Sequence, residues 1–201
     1  MVCFIVFEGG DGSGKSTQVR SLLRRMRRRG IKVMQTHEPG GTPLGQSLRR
    51  LLKSGDPMTP TSELMLFEAA RAQLVQDVIR PFLAQGGVVI ADRFTSSTLT
   101  YQGYGRGLDR DLIERLNREA TGGLEPDLTV LLDLPVEAAL ARKNGGRADN
   151  FDDAPVDFHR RIRRGYSALA AADPEGWLVL DGQRPAEELG REIWSKVQAL
   201  L

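Results

Sequence analysis

Glu8-Gly9-Gly10-Asp11-Gly12-Ser13-Gly14-Lys15-Ser16-Thr17 follows directly on the apolar run Val2-Cys3-Phe4-Ile5-Val6-Phe7. Gly9 to Ser16 spells G-x-x-x-x-G-K-S between a predicted strand and a predicted helix, the context that a phosphate-binding loop needs. The glycines permit a tight turn whose N–H groups converge on phosphate oxygens. The helix that follows adds the positive end of its dipole. Lys15 has the reach to contact β- and γ-phosphates, and the Ser16 hydroxyl can ligate Mg²⁺. Gly9, Gly10, Asp11, Gly12, Ser13, Gly14, Lys15, Ser16 and Thr17 together read as a nucleoside triphosphate site.

Beyond the loop, short apolar runs alternate with amphipathic stretches, the pattern of a parallel sheet covered on both faces. Strands are predicted over 2–7, 32–36, 87–91, 128–133 and 177–180. Helices are predicted over 15–29, 44–52, 61–85, 110–121, 135–142, 155–172 and 185–200, with Pro81 as the point where the long third one would break. The fold class is α/β of the P-loop NTPase type: a five-stranded parallel sheet between helical layers. No repeat or linker divides the chain, so residues 1–201 read as one domain. The polar, glycine-bearing segment 143–153 between two helices reads as a mobile loop rather than a domain boundary.

The chain has 201 residues, a formal net charge of +2 and one cysteine. That length suffices for one substantial core. Cys3 alone excludes an internal disulfide and fits a buried strand position. No apolar stretch approaches the length of a bilayer span, and the short 2–7 run lacks a basic leader and a cleavage site. A cytoplasmic protein without membrane association is expected. The run Arg24-Arg25-Met26-Arg27-Arg28-Arg29 invites a nucleic-acid reading. It ends a helix, however, where cations complement the dipole, and it carries no aromatic residue for base stacking. No nucleic-acid partner is expected.

In such folds ligands gather at the carboxyl ends of the strands. Val88-Val89-Ile90-Ala91-Asp92-Arg93 is an apolar strand closed by an acid and a base. Asp92 is placed to help hold Mg²⁺, and Arg93 offers a fork of donors to a second phosphate. Asp11 and Glu38 fall at strand ends as well. The stretch from Phe94 through Gly107, rich in Ser, Thr, Tyr and Gly, reads as a poor core segment suited to a polar planar ligand. Phe67 and Arg71 lie four apart on one helix face, where the ring can stack on a base and the guanidinium can donate to its carbonyl.

Taken in order, these segments resemble the thymidylate kinases over essentially the whole chain. The carriers are the loop Glu8 to Thr17, Glu38-Pro39-Gly40-Gly41-Thr42-Pro43, Asp92-Arg93-Phe94 with Ser97, and Tyr101-Gln102-Gly103-Tyr104-Gly105-Arg106-Gly107. Pro126-Asp127-Leu128-Thr129 and the span from Phe158 to Tyr166 fit too. The resemblance implies a nucleoside monophosphate kinase fold, transfer of the γ-phosphoryl of ATP to dTMP, and a homodimer. It implies that Phe67 stacks on thymine, that Arg71 donates to its carbonyl, and that Thr98 and Gln102 read the remaining base edge. By the same resemblance Tyr101 lies against the sugar, Asp11 approaches the 3′-OH, and Arg93 and Arg49 hold the monophosphate, with Glu38 and Ser97 beside them.

The chain departs from the pattern at several positions. His37 stands where bacterial relatives carry Arg, and Thr100 stands where they carry Ala. The loop has no Arg between Asp11 and Lys15, which in the family goes with arginines supplied by the lid. In that lid, which the resemblance sets at about 143–153, Asn150 occupies the usual Arg position, leaving Arg142, Lys143 and Arg147 as candidates to reach the transferring phosphate. Two other readings share the P-loop: a kinase for another nucleoside monophosphate or a deoxynucleoside, and a nucleotide switch that needs no acceptor.

Overall fold

A computed structural model of the chain describes residues 2–143 and 155–201, the side chain of Lys143 excepted. Most of the 143–153 segment, with Arg147 and Asn150, lies outside the described residues. Strand β1 (Cys3–Glu8) leads into α1 (Lys15–Arg28), β2 (Val33–His37), α2 (Pro43–Leu52) and α3 (Pro60–Leu74). A π-helical turn over Val75–Ile79 joins α3 to α4 (Arg80–Ala84). Then come β3 (Val88–Asp92), α5 (Thr95–Thr98), a second π-helical stretch over Leu99–Gly105, and α6 (Arg110–Thr121). Strand β4 (Leu128–Asp133), α7 (Val136–Lys143), α8 (Val156–Ala172), β5 (Trp177–Asp181) and α9 (Ala186–Gln198) complete the order.

The five strands pair in parallel in the order β2-β3-β1-β4-β5. Side chains of β1 alternate between the two faces, as a strand requires. Cys3, Ile5 and Phe7 join α1 and α9 through Leu22, Met26, Ile193 and Trp194. Phe4 and Val6 join the opposite layer through Leu74, Val75, Ile79 and Phe94. On that first layer, the guanidinium groups of Arg25 and Arg29 lie 4.8 and 4.5 Å from the Trp194 ring centre. The arginine run is therefore partly a helix-to-helix clamp.

The fold meets the expectation strand by strand, with two differences inside helices. The stretch 61–85 does not break at Pro81. Pro81 cannot donate to the Asp77 carbonyl and its ring crowds that group, and the π-helical turn Val75–Ile79 absorbs the misfit within a continuous helical run. The second difference lies after β3. The 94–107 stretch is not peripheral: it is largely helical, and Thr98, Thr100, Tyr101, Gln102, Gly103 and Gly105 are buried.

Register brings the strand ends level. Phe7 pairs with Asp92, and Asp92 with His37. The chain leaves β1 toward β2 and β3 on one side and reaches β4 and β5 on the other, which opens a crevice at that edge. At the loop entering it, Gly9 has φ +133°, and a Cβ there would stand 2.6 Å from the Leu132 carbonyl oxygen. A Cβ on Gly10 would meet nothing within 4 Å. Gly9→Ala is therefore expected to cost about 1–3 kcal/mol of stability, and Gly10→Ala close to none. Urea unfolding of the two variants checks the contrast.

Candidate active site

Gly14, at φ 98°, caps α1 without any side-chain cap; the Thr17 and Gln18 amides donate to its carbonyl, and the Lys15 and Ser16 amides are the ones left for a ligand. Lys15 is buried beneath the loop, and its Nζ donates to the Gly9 and Gly10 carbonyls at 2.9 and 3.0 Å. Burial pulls its ammonium down to about 8, with repulsion from Arg93 adding to it and the carboxylates of Asp11, Asp92 and Glu8 opposing. A cavity of about 540 Å³ opens over these groups. It is lined by the loop from Asp11 to Thr17 and by His37, Glu38, Arg49, Asp92, Arg93 and Arg142.

A second cavity, about 130 Å³, lies beside it under α2 and α3, lined by Phe67, Ser97, Thr98, Tyr101, Gln102, Pro39, Leu52 and Lys53. Asp11, Glu38, Arg49 and Arg93 line both. Two ligands meeting end to end would thus be joined at two arginines and two acids. Arg49 donates to the Pro39 carbonyl at 3.0 Å from the wall between them.

Of the two arginines on that boundary, Arg93 is held by the larger set of side chains. Its backbone sits at φ 74°, in the left-handed region that non-glycine residues rarely adopt, and its N–H donates to the Phe7 carbonyl at 2.9 Å. Nη2 donates to Asp11 at 2.7 Å and to the Tyr101 hydroxyl at 3.0 Å, and Nη1 to Ser97 and Tyr166, each at 3.2 Å. Glu8 lies underneath. Its Oε1 accepts from the Phe94 N–H at 2.9 Å, and its Oε2 from Ser97 and Tyr166 at 2.7 and 2.8 Å. Burial pushes the Glu8 carboxyl up, and Arg93 with these donors pulls it back.

Arg71 takes a different place from the one expected. It is 1% exposed and does not line the smaller cavity. Nε donates to Glu38 at 2.9 Å, Nη1 to Glu68 at 2.7 Å and Asn117 at 2.6 Å, and Nη2 to the Phe94 carbonyl at 3.1 Å. Nη1 also reaches Thr98 at 3.3 Å, and Nη2 stands 2.7 Å from Glu38 Oε2. A guanidinium has five N–H donors, and these partners occupy them. In this arrangement Arg71 supports the cavity wall from behind rather than presenting a donor to a base. Glu38 faces it with one oxygen, while its Oε1 has no partner among the described residues. Burial raises the Glu38 carboxyl to about 7 against the pull of Arg71.

The remaining expected residues fall as follows. The Ser16 hydroxyl lies 3.4 Å from Asp92 Oδ2 at the mouth of the larger cavity. A hydroxyl and a carboxylate are hard oxygen donors, and a pair of them suits Mg²⁺, which keeps waters and phosphate oxygens as its other ligands. His37 lines the larger cavity beside Gln46. Arg142 donates to the Gly182 carbonyl at 3.1 Å. It also lines a cleft of about 250 Å³ with Gly14, Thr17, Gln18, Gly182, Arg184 and Ala186. Lys143's side chain and Arg147 lie outside the described residues. The sequence reading missed Glu8, Glu63, Glu68, Asn117 and Tyr166. Only Glu8 carried a signal, as an acid closing an otherwise apolar strand.

Known proteins resemble the chain in sequence and in fold. The sequence matches the family description "Thymidylate kinase" over residues 7–193. It is 51% identical over 198 residues to a thymidylate kinase of Synechococcus sp. (strain JA-3-3Ab), covering 98% of this chain and 96% of that one. It is 46% identical over 203 residues to one from Thermomicrobium roseum, covering 100% and 97%. The crystal structure of thymidylate kinase from Ehrlichia chaffeensis superposes with a TM-score of 0.80 at 34% identity over 98% of both chains. A glycine loop and two cavities meeting at shared arginines, on a sequence matched over nearly its whole length, place the chain in the thymidylate kinase family.

Proposed function

We propose that the larger cavity holds the triphosphate of ATP and the smaller one holds dTMP, with their phosphates meeting between Arg49 and Arg93. Family membership makes the chain an ATP:dTMP phosphotransferase. The observation that carries the residue roles is the boundary shared by the two cavities. The chain works as one kinase domain over residues 1–201.

The attacking group is a phosphate oxygen of dTMP, already ionised at neutral pH, so no protein base is required. Its lone pair forms the new bond to the γ-phosphorus as the bond to the bridging oxygen of ADP breaks. The protein must align two anions and neutralise their repulsion. The loop amides and Lys15 hold the donor phosphates, and Arg93 and Arg49 hold the acceptor. Arg142, from the start of the expected lid, adds charge from the donor side, and Arg147 remains its companion candidate by position in the sequence. Ser16 and Asp92 would hold Mg²⁺, which when bound neutralises charge on the β- and γ-phosphates. Phe67 stacks on the base, Thr98 and Gln102 read its edge, Tyr101 flanks the sugar, and Asp11 takes the 3′-OH.

We further infer a cytoplasmic homodimer. Among the described residues no helix is long and apolar enough to cross a membrane. Leu44 and Leu51 of α2, two turns apart on one face, are each 44% exposed, and Met65 of α3 is 45% exposed. These helices pack together, so their outer faces form one apolar surface suited to a second copy.

Four measurements test this reading. A coupled assay over the deoxynucleoside and ribonucleoside monophosphates should give turnover with dTMP well above the others. Lys15→Ala should lower kcat by about 10²–10³-fold with unfolding unchanged, and Arg142→Ala by less. Equal turnover without acceptor would make the chain a hydrolase or switch. For pH, triphosphate binding favours charged Lys15, whose ammonium in the ligand-free protein titrates at about 8. Affinity for ATP should therefore hold below pH 8 and fall as pH rises through it, with a proton taken up on binding there. Calorimetry in buffers of different ionisation heat detects that proton. Finally, Leu51→Glu should convert a dimeric elution by light scattering to a monomeric one.

A further inference from the structure

We propose that Glu63 is a positioning residue that fixes which end of the Gln102 amide faces the acceptor base, and so makes the cavity choose an imide pyrimidine over cytosine. The proposal rests on the reading above in which Gln102 lies against the base. Gln102 is 1% exposed and lines the smaller cavity together with Phe67 and Thr98. A primary amide can turn by half a rotation with almost no change of shape, exchanging its oxygen for its NH₂. Which end meets the ligand is therefore an electrostatic matter, settled by what stands behind it.

Behind it stands Glu63. This residue is 5% exposed in the first turn of α3, one helical turn before Phe67 and two before Arg71 on the same face. Gln102 Nε2 donates to Glu63 Oε1 at 2.7 Å. Arg106 Nη2 donates to the other oxygen at 3.1 Å, and its Nε approaches Oε1 at 3.4 Å. A carboxylate paired with a guanidinium accepts and does not donate. Turning Gln102 about would set its oxygen against that carboxylate and leave two buried acceptors without a proton between them. The amide is thus held with NH₂ toward Glu63 and Oε1 toward the cavity. Among the described residues no group donates to that Oε1.

The consequence for recognition follows from the bases. Thymine and uracil carry an N3–H donor between two carbonyls, whereas cytosine carries a bare acceptor at N3 beside an amino group. An acceptor oxygen fixed opposite N3 completes a hydrogen bond with the imide and opposes cytosine. It does not distinguish thymine from uracil, whose difference is a methyl group elsewhere on the ring.

Glu63→Gln inverts the arrangement while keeping its shape. Arg106 would retain the oxygen of the new amide, turning the NH₂ of that amide to Gln102. Gln102 would then rotate to offer its oxygen, leaving its own NH₂ in the cavity. The experiment measures kcat/KM for dTMP, dUMP and dCMP in the wild type, Glu63→Gln and Gln102→Leu, with inhibition constants against dTMP where dCMP turnover is too slow. In Glu63→Gln the dTMP:dCMP ratio should fall at least about tenfold, with the dTMP:dUMP ratio unchanged and the change carried by KM. Equal losses for all three nucleotides would overturn the proposal, because a merely structural role predicts that result. Gln102→Leu tests the underlying reading separately. It should raise KM for dTMP, and an unchanged KM would remove Gln102 from the base whatever Glu63→Gln does. If Glu63→Gln does not fold by circular dichroism, Glu63→Ala, which lets Gln102 take either orientation, is read by the same ratio.

Discussion

The carboxylate of Glu8 is the point on which the site depends. It closes the central strand, is fully buried, and receives donors from the β3 exit, from α5 and from α8. A buried charge is tolerated only when paired and fully hydrogen-bonded, and losing one partner of such a group costs on the order of 3–5 kcal/mol. The same acid faces Arg93, which must turn through a left-handed backbone conformation to leave the strand. Strain at that residue persists because the Phe94 amide and Ser97 hydroxyl on its C-terminal side are pinned to Glu8. Arg93 is thereby presented to the crevice with its direction set before any ligand arrives.

A second constraint works from behind the smaller cavity. Arg71 collects Glu38, Glu68, Asn117 and a main-chain carbonyl into one buried cluster. Burial makes Glu38 bind a proton more readily than an ordinary carboxyl, Arg71 opposes this, and the nearby Glu68 and Glu8 add to it. The cluster ties α3 to the loop after β2, to α5 and to α6. The wall against which a base would rest is therefore stiff, and its stiffness comes from polar contacts rather than from aliphatic packing.

What could be read from the sequence was what local chemistry decides. The glycine loop, the strand runs and the helix stripes depend on neighbours within a few residues, and the sheet formed where the alternation placed it. The family signature carried the candidate residues to one crevice, and the structure gathers those it describes there, Arg71 excepted. The enclosure of Arg71 was not legible for a physical reason: its partners come from 3 to 46 residues away in the sequence, and spacing on its own helix says nothing of them. The 94–107 stretch was misjudged in the same way. Its hydroxyls and amide look unfit for burial until Glu8, Glu63 and Asn117 are brought alongside to satisfy them. Periodicity reports which face is apolar; it does not report which polar groups will find each other.

The shared boundary of the two cavities has a thermodynamic side. Asp11, Glu38, Arg49 and Arg93 touch both compartments, so a nucleotide in one changes the electrostatic surroundings met by a nucleotide in the other. In the proposed reading, an acceptor phosphate that draws on Arg93 weakens its pairing with Asp11 at the edge of the donor compartment, and a donor that neutralises Lys15 alters the field at Arg93. Donor and acceptor affinities are then linked, and linkage is reciprocal: whatever factor the first nucleotide imposes on the second, the second imposes on the first. The order in which the two nucleotides enter is a matter of rates alone.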